Sequence, residues 1–195
     1  MKKINYLLLA SVLAFGLLAS ANAAVETYTI DPVHSSAGFT LRHMVSRFTG
    51  SFTKVTGTIT VDRENMEKSS VVAAVDVGSV NTANDKRNEH VKSPDFFDFA
   101  KFPTMTFKSK SWTKTGDDTY DVTGDLTIKD ITKEVVLKVT SLGFSAGMKP
   151  GTTLSGWEAT TTIKKSEFGL GGPAMLGKVL GDDVAVNIGV EAHQP

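Results

Sequence analysis

Apolar and polar residues alternate one by one along most of this chain, in short runs separated by Gly, Asp and Asn. Near the C-terminus, Val184, Val186, Ile188 and Val190 occupy every second position. A period of two is the side-chain repeat of a β-strand with one buried face. The pattern predicts strands at residues 26–30, 34–42, 52–62, 70–80, 104–109, 119–129, 133–142, 154–164 and 184–192.

The connections between these strands are short where they can be identified, as at residues 115–118 and 130–132. Short turns favour antiparallel strands in up-and-down order. We therefore predict an all-β fold, an antiparallel up-and-down β-barrel of about eight strands. That strand number closes a barrel around one small ligand, and closure leaves no unpaired edge strand.

Residues 81–103 interrupt the alternation. Charged residues crowd residues 85–90, and four Phe residues follow at positions 96, 97, 99 and 102. Residues 85–91 suit two helical turns, and Ser93 followed by Pro94 is typical of a helix start. We predict a short helical segment near residues 85–99 that closes one end of the barrel.

The role of the Phe cluster has two interpretations. Burying one ring stabilises a fold by roughly 1.5–3 kcal/mol, so the rings can plug the barrel end. Phe96 and Phe97 are adjacent and point to different sides of a helix, so one of them can meet a ligand.

Small residues fall on inward positions of four predicted strands, at Gly57, Ala73, Gly124 and Ala159. They favour either an apolar hollow or, for the two glycines, bulges that bend the wall. Both interpretations stay open. The inward positions and the Phe cluster together predict the residues that line a hollow, which are Phe39, Val75, Val77, Phe97, Phe107, Leu126, Ile128 and Trp157.

The N-terminus has the layout of a secretory signal peptide. Lys2 and Lys3 precede an apolar run over residues 7–19, and small residues at 21 and 23 form a cleavage signal. The alternative, an anchor helix, is less favoured because the run is short. We expect residues 1–23 to be cleaved, residues 24–195 to form a single domain, and the protein to be periplasmic.

Charge and composition exclude several classes of function. The full chain has 21 basic and 21 acidic residues, and removing residues 1–23 leaves 19 − 21 = −2. A near-neutral surface argues against a nucleic acid or an anionic membrane as the main partner. The absence of Cys excludes thiol catalysis and thiolate metal sites. Neither a serine nucleophile elbow nor a phosphate-binding loop occurs, so we predict a protein that is not an enzyme.

The four His residues, at positions 34, 43, 90 and 193, do not show the spacing of a zinc site, and we predict no metal or cofactor. Arg87 and His90 lie three residues apart on one side of a helical turn. They are candidates to bind a polar head group. Salt bridges to Asp85 and Glu89 are the alternative, and spacing alone favours the bridges.

Several motifs, in order across the whole of residues 24–195, resemble the YceI-like family. They are Asp31-Pro32-x-His34-Ser35, Val80-Asn81-Thr82, Arg87-x-x-His90-Val91, Ser93-x-x-Phe96-Phe97-Asp98, Phe102-Pro103, Gly124-x-Leu126-Thr127-Ile128 and Phe168-Gly169. The chain departs from the family pattern at Asn88, where Asp is usual, and at Lys164 or Lys165, where an Arg usually precedes the Phe-Gly pair.

The resemblance implies a lipocalin-like barrel with an elongated apolar channel that binds a polyisoprenoid or fatty-acid-like lipid. It also implies a periplasmic carrier or store, with homodimers among its members, and we expect transient contact with a membrane. Three alternatives are an enzyme acting on a lipid in the same pocket, an accessory module presenting an isoprenoid quinone to a membrane redox enzyme, and a solid-cored structural barrel.

Overall fold

The computed structural model describes residues 25–194, so the expected signal peptide, residues 1–23, lies outside the described residues. The elements in this range are β1 (Glu26–Ile30), β2 (Ser36–His43), β3 (Ser46–Phe52), β4 (Val55–Val61), β5 (Ser70–Asp76), β6 (Val80–Asn81), α1 (Asp85–Lys92), β7 (Thr104–Lys114), β8 (Thr119–Ile128), β9 (Ile131–Ala146), β10 (Thr153–Lys164) and β11 (Leu180–Gln194). Within it, no helix has the length and apolar character needed to cross a bilayer.

Eight strands close into a ring. They follow the order β1-β4-β5-β7-β8-β9-β10-β11, every neighbouring pair is antiparallel, and β11 pairs back with β1. Three short strands extend the ring at one end, each separated by a few residues from a strand of the ring: β2 extends β1, β3 extends β4, and β6 extends β5. Strand β2 pairs with β11, and β3 pairs with both β2 and β6. The chain therefore runs up and down around the wall. The predicted all-β barrel of about eight strands with one short helix is confirmed.

The wall is less continuous at one end. We call β2, β3 and β6 the upper leaf. Its ladder to the rest of the barrel runs through β11, because β7 pairs with β5 and not with β6. Residues 82–103, which include α1, lie between β6 and β7. This segment therefore covers the side of the barrel where the ladder is interrupted.

One predicted strand was too long, and one observed strand was not predicted. The prediction at residues 70–80 stops early, because the Asp76 carboxylate accepts a hydrogen bond from Gly78 N (2.8 Å) and turns residues 77–79 into a 3₁₀ turn. Strand β3 was not predicted. It contains only two large apolar residues, Phe48 and Phe52, which the local pattern does not mark as a strand.

The opposite end of the barrel is closed by packing. Tyr28 and Val61 are fully buried there. The Arg63 guanidinium lies 4.0 Å from the ring centroid of Phe144 and donates hydrogen bonds to Glu26 Oε2 and Tyr28 Oη, both at 2.6 Å. Burial, followed by the hydrogen bond to Glu26, raises the pKa of Tyr28. This end is sealed.

Helix α1 begins where the sequence allows it and ends earlier than predicted. The Asn84 side chain caps it by accepting from Arg87 N (2.9 Å). Ser93, predicted to start a second helical stretch, is instead the C-cap, and its N–H donates to His90 O (3.1 Å). The prediction of a helix start at Ser93 is wrong because the same side chain serves a helix end.

Candidate functional site

The barrel encloses a cavity of about 560 Å³. Aliphatic and aromatic side chains from every strand of the ring form most of its wall. Of its 41 lining residues, none is Asp or Glu. The cavity extends from two tryptophans near the sealed end to a mouth beside α1, the β2–β3 hairpin and the loop between β10 and β11.

Seven of the eight apolar residues predicted to line a hollow lie in the cavity wall. They are Phe39, Val75, Phe97, Phe107, Leu126, Ile128 and Trp157. The prediction for Val77 is wrong. It lies in the 3₁₀ turn after β5 and is 1 % exposed, packed in the apolar cluster that contains Phe168. The period of two ends at Asp76, so the parity count no longer applies to Val77.

The four small inward residues divide between the two interpretations. Ala73 and Ala159 line the cavity and leave room in it. Gly57 has φ +144°, and a Cβ there would lie 2.1 Å from the Val72 carbonyl oxygen, so this glycine allows two strands to approach. Gly124 lies beside the bulge in β7, where a Cβ would lie 2.5 Å from the Phe107 ring. The alanines favour the hollow, and the glycines shape the wall.

Sequence reasoning missed Trp112, which packs edge-to-face on Trp157 with ring centroids 5.7 Å apart. Trp112 is 5 % exposed and lines the inner end of the cavity. The register of β7 shifts between Ser109 and Ser111. A bulge reverses which parity points inward, so counting from Met105 and Phe107 places Trp112 on the wrong face.

Arg87 and His90 lie at the cavity mouth. The favoured salt bridges to Asp85 and Glu89 are wrong, because Glu89 pairs with Lys92 at 2.6 Å and both Arg87 and His90 have other partners. The Arg87 guanidinium donates to Thr82 O (2.6 Å) and Thr82 Oγ1 (3.0 Å) and lies 5.0 Å from the Phe48 ring centroid. These partners lie on the barrel side of α1. His90 Nε2 lies 2.8 Å from Asp95 Oδ2, so its partner comes from the following turn.

Asn88, where the family usually has Asp, retains the function of an acceptor. Its side-chain oxygen accepts hydrogen bonds from Thr82 N (2.8 Å) and Thr82 Oγ1 (2.7 Å). Thr82 in turn holds Arg87. An amide oxygen fulfils the hydrogen-bonding role of a carboxylate here, and one negative charge fewer lies beside the cavity mouth.

Lys165 is the most informative residue that sequence reasoning did not single out as a candidate. It follows Ile163 on the inward face, lines the cavity and is 7 % exposed. Among residues 25–194, no carboxylate pairs with its ammonium. Its neighbour Lys164 points outward and pairs with Asp183 at 2.8 Å. Asp182 is nearby, but its oxygens accept hydrogen bonds from Ser166.

The motif at residues 31–35 lies on the outer wall and not in the cavity. The Asp31 carboxylate accepts from His34 Nδ1 (2.7 Å), and Ser35 Oγ exchanges hydrogen bonds with the backbone of Glu191 (3.2 Å). These contacts attach residues 31–35, which connect β1 to β2, to strand β11. The hydrogen bond lowers the pKa of Asp31 and raises that of His34.

In the described part of the chain, one group of side chains has the composition of a metal site. The ligand atoms of Asp31, His34 and Glu191 lie within 4.8 Å of one another. The closest pair is the hydrogen bond described above, and the group lies outside the cavity. His193, one residue beyond the strand predicted at residues 184–192, lies in β11 and pairs with Thr29 and Leu154 of the neighbouring strands.

Residues 28–192 match the family model of the YceI-like domain. The chain belongs to the YceI-like family. A UPF0312 protein of Pseudomonas savastanoi pv. phaseolicola is 34 % identical over 182 residues, which cover 91 % of this chain and 94 % of the relative. The YceI protein of Campylobacter jejuni, in its crystal structure, is 31 % identical with a TM-score of 0.69, covering 78 % of this chain and 88 % of that one.

A third similarity concerns the YceI-like fold alone. A polyisoprenoid binding domain from Saccharophagus degradans, implicated in plant cell wall breakdown, matches with a TM-score of 0.66 at 17 % identity. The match covers 88 % of this chain and all of that domain. The same barrel is thus found at very low sequence identity, and this chain is a YceI-type barrel by family and fold.

Proposed function

We propose that this protein is a periplasmic carrier that holds one polyisoprenoid or other long-chain lipid in the barrel cavity, with an anionic head group at the mouth. The observation that carries the proposal is the cavity itself, about 560 Å³ inside a closed ring, with a wall of aliphatic and aromatic residues. The polyisoprenoid-binding description of the fold neighbour from Saccharophagus degradans supports the same ligand class.

The size of the cavity suits a lipid chain. Its volume of about 560 Å³ falls within the range of roughly 300–1,000 Å³ that is usual for ligand pockets. At about 30 Å³ per group, the volume that one water takes in the liquid, it has room for roughly eighteen methylene-sized groups. Each buried methylene contributes about 0.8 kcal/mol, so about ten of them supply ~8 kcal/mol, or micromolar affinity before entropic costs.

The charges around the cavity indicate the sign of the head group. The lining includes Lys165, Arg87, His43 and His90 and contains no carboxylate. Lys165 is buried without an acidic partner among residues 25–194. A buried charge is costly unless it is paired, and a phosphate or carboxylate head group would supply the missing partner.

The same wall supports binding in preference to catalysis. General acid–base chemistry needs titratable groups that reach the reacting atoms, and pairs of histidine and carboxylate are the usual choice. Within the described residues, the pairs formed by His34 with Asp31 and by His90 with Asp95 lie on the outer wall and at the mouth. The interior presents apolar surface, which protects a chain from water without reacting with it.

The direct test is to purify the protein from the compartment in which it accumulates, extract it with organic solvent and identify the extract by mass spectrometry. A polyisoprenoid or fatty-acid derivative in a stoichiometric amount is the expected result, and recovery from the periplasmic fraction is expected with it. A barrel that contains no lipid and also fails to bind such lipids in titration would refute the carrier function.

A further inference from the structure

The tip of the β2–β3 hairpin exposes two apolar side chains beside the cavity mouth. Met44 and Val45 connect the strands, with side chains 55 % and 101 % exposed. The flanking residues His43 and Ser46 pair with each other and both line the cavity. An exposed apolar pair at this position costs solubility and does not contribute to the core, so its contribution must come from a contact outside the barrel.

Two arginines flank this tip. Arg42 and Arg47 are direct cross-strand partners, so their side chains leave the same face of the hairpin. Like charges placed opposite each other destabilise a strand pair. Neither guanidinium has a carboxylate within 4.0 Å among residues 25–194. Arg42 Nε donates to Met44 O (2.8 Å), which holds its charge beside the apolar tip.

A third exposed apolar side chain lies on the same rim. Met175, in the loop between β10 and β11, is 80 % exposed, and Lys178 follows it. Met44 N donates to Val179 O (2.7 Å), so the loop and the hairpin tip are joined by a backbone hydrogen bond. Leu176 and Leu180 of the same loop line the cavity. The rim thus combines exposed apolar tips, basic side chains and direct access to the cavity.

We propose that the hairpin tip docks onto an anionic lipid bilayer, with Met44 and Val45 in the interfacial layer and Arg42 and Arg47 on lipid phosphates. Apolar residues flanked by arginines are the composition of interfacial membrane contacts, and Arg binds phosphate with two parallel hydrogen bonds. This inference rests on the proposed function, since docking at the hairpin tip places the cavity mouth against the bilayer that contains the lipid to be carried.

The charges favour a bilayer over a second copy of the chain. A two-fold dimer brings the same patch of both subunits together. Such a dimer through this hairpin would place Arg42 and Arg47 close to their own copies, and within its own chain neither has a carboxylate within 4.0 Å among residues 25–194. A surface of lipid phosphates offers the opposite charge at many positions.

The test measures binding to vesicles of phosphatidylcholine with and without phosphatidylglycerol, by flotation. One variant carries Met44→Ser and Val45→Ser, and a second carries Arg42→Gln and Arg47→Gln. The matched control is Met148→Ser, because Met148 is 104 % exposed in the β9–β10 loop at the opposite end. All variants share residues 1–24, so differences between them come from the substituted positions.

Binding is expected only with phosphatidylglycerol, and salt should weaken it. An arginine near an anionic surface contributes roughly five-fold in partitioning, so the arginine variant should lose about twenty-five-fold. Losing the apolar pair should reduce binding by roughly ten-fold, and the control should bind as the unchanged protein does. Val45→Ser alone should also weaken binding, and since Val45 is fully exposed it tests the tip without risk to folding.

Two results would overturn the inference. Equal vesicle binding by all variants is one, and a hairpin-dependent dimer without vesicles, seen by light scattering, is the other. The docking inference and the carrier function can fail separately. Titration with decyl phosphate in solution should give the same affinity for the hairpin variants and the unchanged protein. A protein that docks but binds no decyl phosphate would refute the carrier function alone.

Discussion

Replacing Lys165 with Met tests the head-group site, because the two side chains have similar length and differ in the charge. In the empty barrel Lys165 as a whole residue is 7 % exposed, and no carboxylate pairs with its ammonium among residues 25–194. With an anionic lipid bound, the same ammonium gains a partner. The substitution should therefore act in opposite directions on the stability of the empty protein and on ligand affinity.

The expected magnitudes follow from these two environments. A buried polar group without a partner costs about 1–3 kcal/mol, so Lys165→Met should raise the free energy of unfolding of the ligand-free protein by about that amount. A hydrogen bond to a charged group contributes roughly 1.5–3 kcal/mol, so affinity for an alkyl phosphate should fall roughly ten- to hundred-fold. Affinity for the uncharged alcohol of the same chain length should not fall.

The assay is calorimetric titration with decyl phosphate and with decanol, accompanied by urea unfolding of the delipidated protein. Lys164→Met is the matched control, since Lys164 is the adjacent lysine, points outward and pairs with Asp183. This control should leave both affinities unchanged. The assignment of Lys165 would be refuted if Lys165→Met lowered stability while the phosphate and the alcohol lost affinity equally.

Three further predictions concern the wall and the mouth. Phe97→Ala should lower both the melting temperature and lipid affinity, because the Phe97 ring lines the cavity and packs on Phe52 with ring centroids 5.5 Å apart. A lower melting temperature with unchanged lipid affinity would show that Phe97 only plugs the barrel end. Gly57→Ala should destabilise the fold by about 2 kcal/mol or more in urea unfolding, since φ is +144° and the neighbouring strand leaves no room, whereas Gly189→Ala has open space and should be nearly neutral. The raised pKa of His34 contributes stability that is fully present below its unfolded pKa and is lost as pH rises through the folded pKa. His34→Gln should therefore cost more stability near pH 5 than near pH 8, measured by urea unfolding at both values, and an equal cost at both would contradict the ion pair with Asp31.

Alternation alone predicted most of the barrel because each strand of the ring has one face toward the cavity. The prediction failed where a contact distant in sequence replaces a local signal. In β3, Gly50 is the cross-strand partner of Phe39 of β2, and a Cβ at Gly50 would lie 2.4 Å from the Phe39 ring. The Phe39 ring of β2 therefore fills the space that an apolar side chain at position 50 of β3 would occupy. The sequence of β3 alone cannot show this.

The candidate site shows the same division. The apolar lining followed from parity, except at Val77 beyond the end of β5 and after the bulge in β7 that reverses Trp112. The arrangement of the polar residues at the cavity mouth could not be predicted from the sequence, because it depends on the groups that they contact. Arg87 binds Thr82 and faces Phe48, contacts set by how α1 lies on the barrel. Lys165 begins the 3₁₀ turn after β10, so both its inward direction and its lack of an acidic partner required the structure.

The upper leaf has a consequence for how a ligand enters. The ring of eight strands keeps its ladder complete without β2, β3 and β6, and the leaf is joined to that ring by its ladder with β11 and by the chain itself. Swinging β2 and β3 outward about β11 therefore breaks, among ladder contacts, only their short pairing with β6 and leaves every ladder hydrogen bond of the ring intact. Local opening of this kind needs less free energy than global unfolding. Amide hydrogens of the upper leaf should exchange with solvent faster than those of β1, β4 and β5, and a bound lipid should slow the leaf alone.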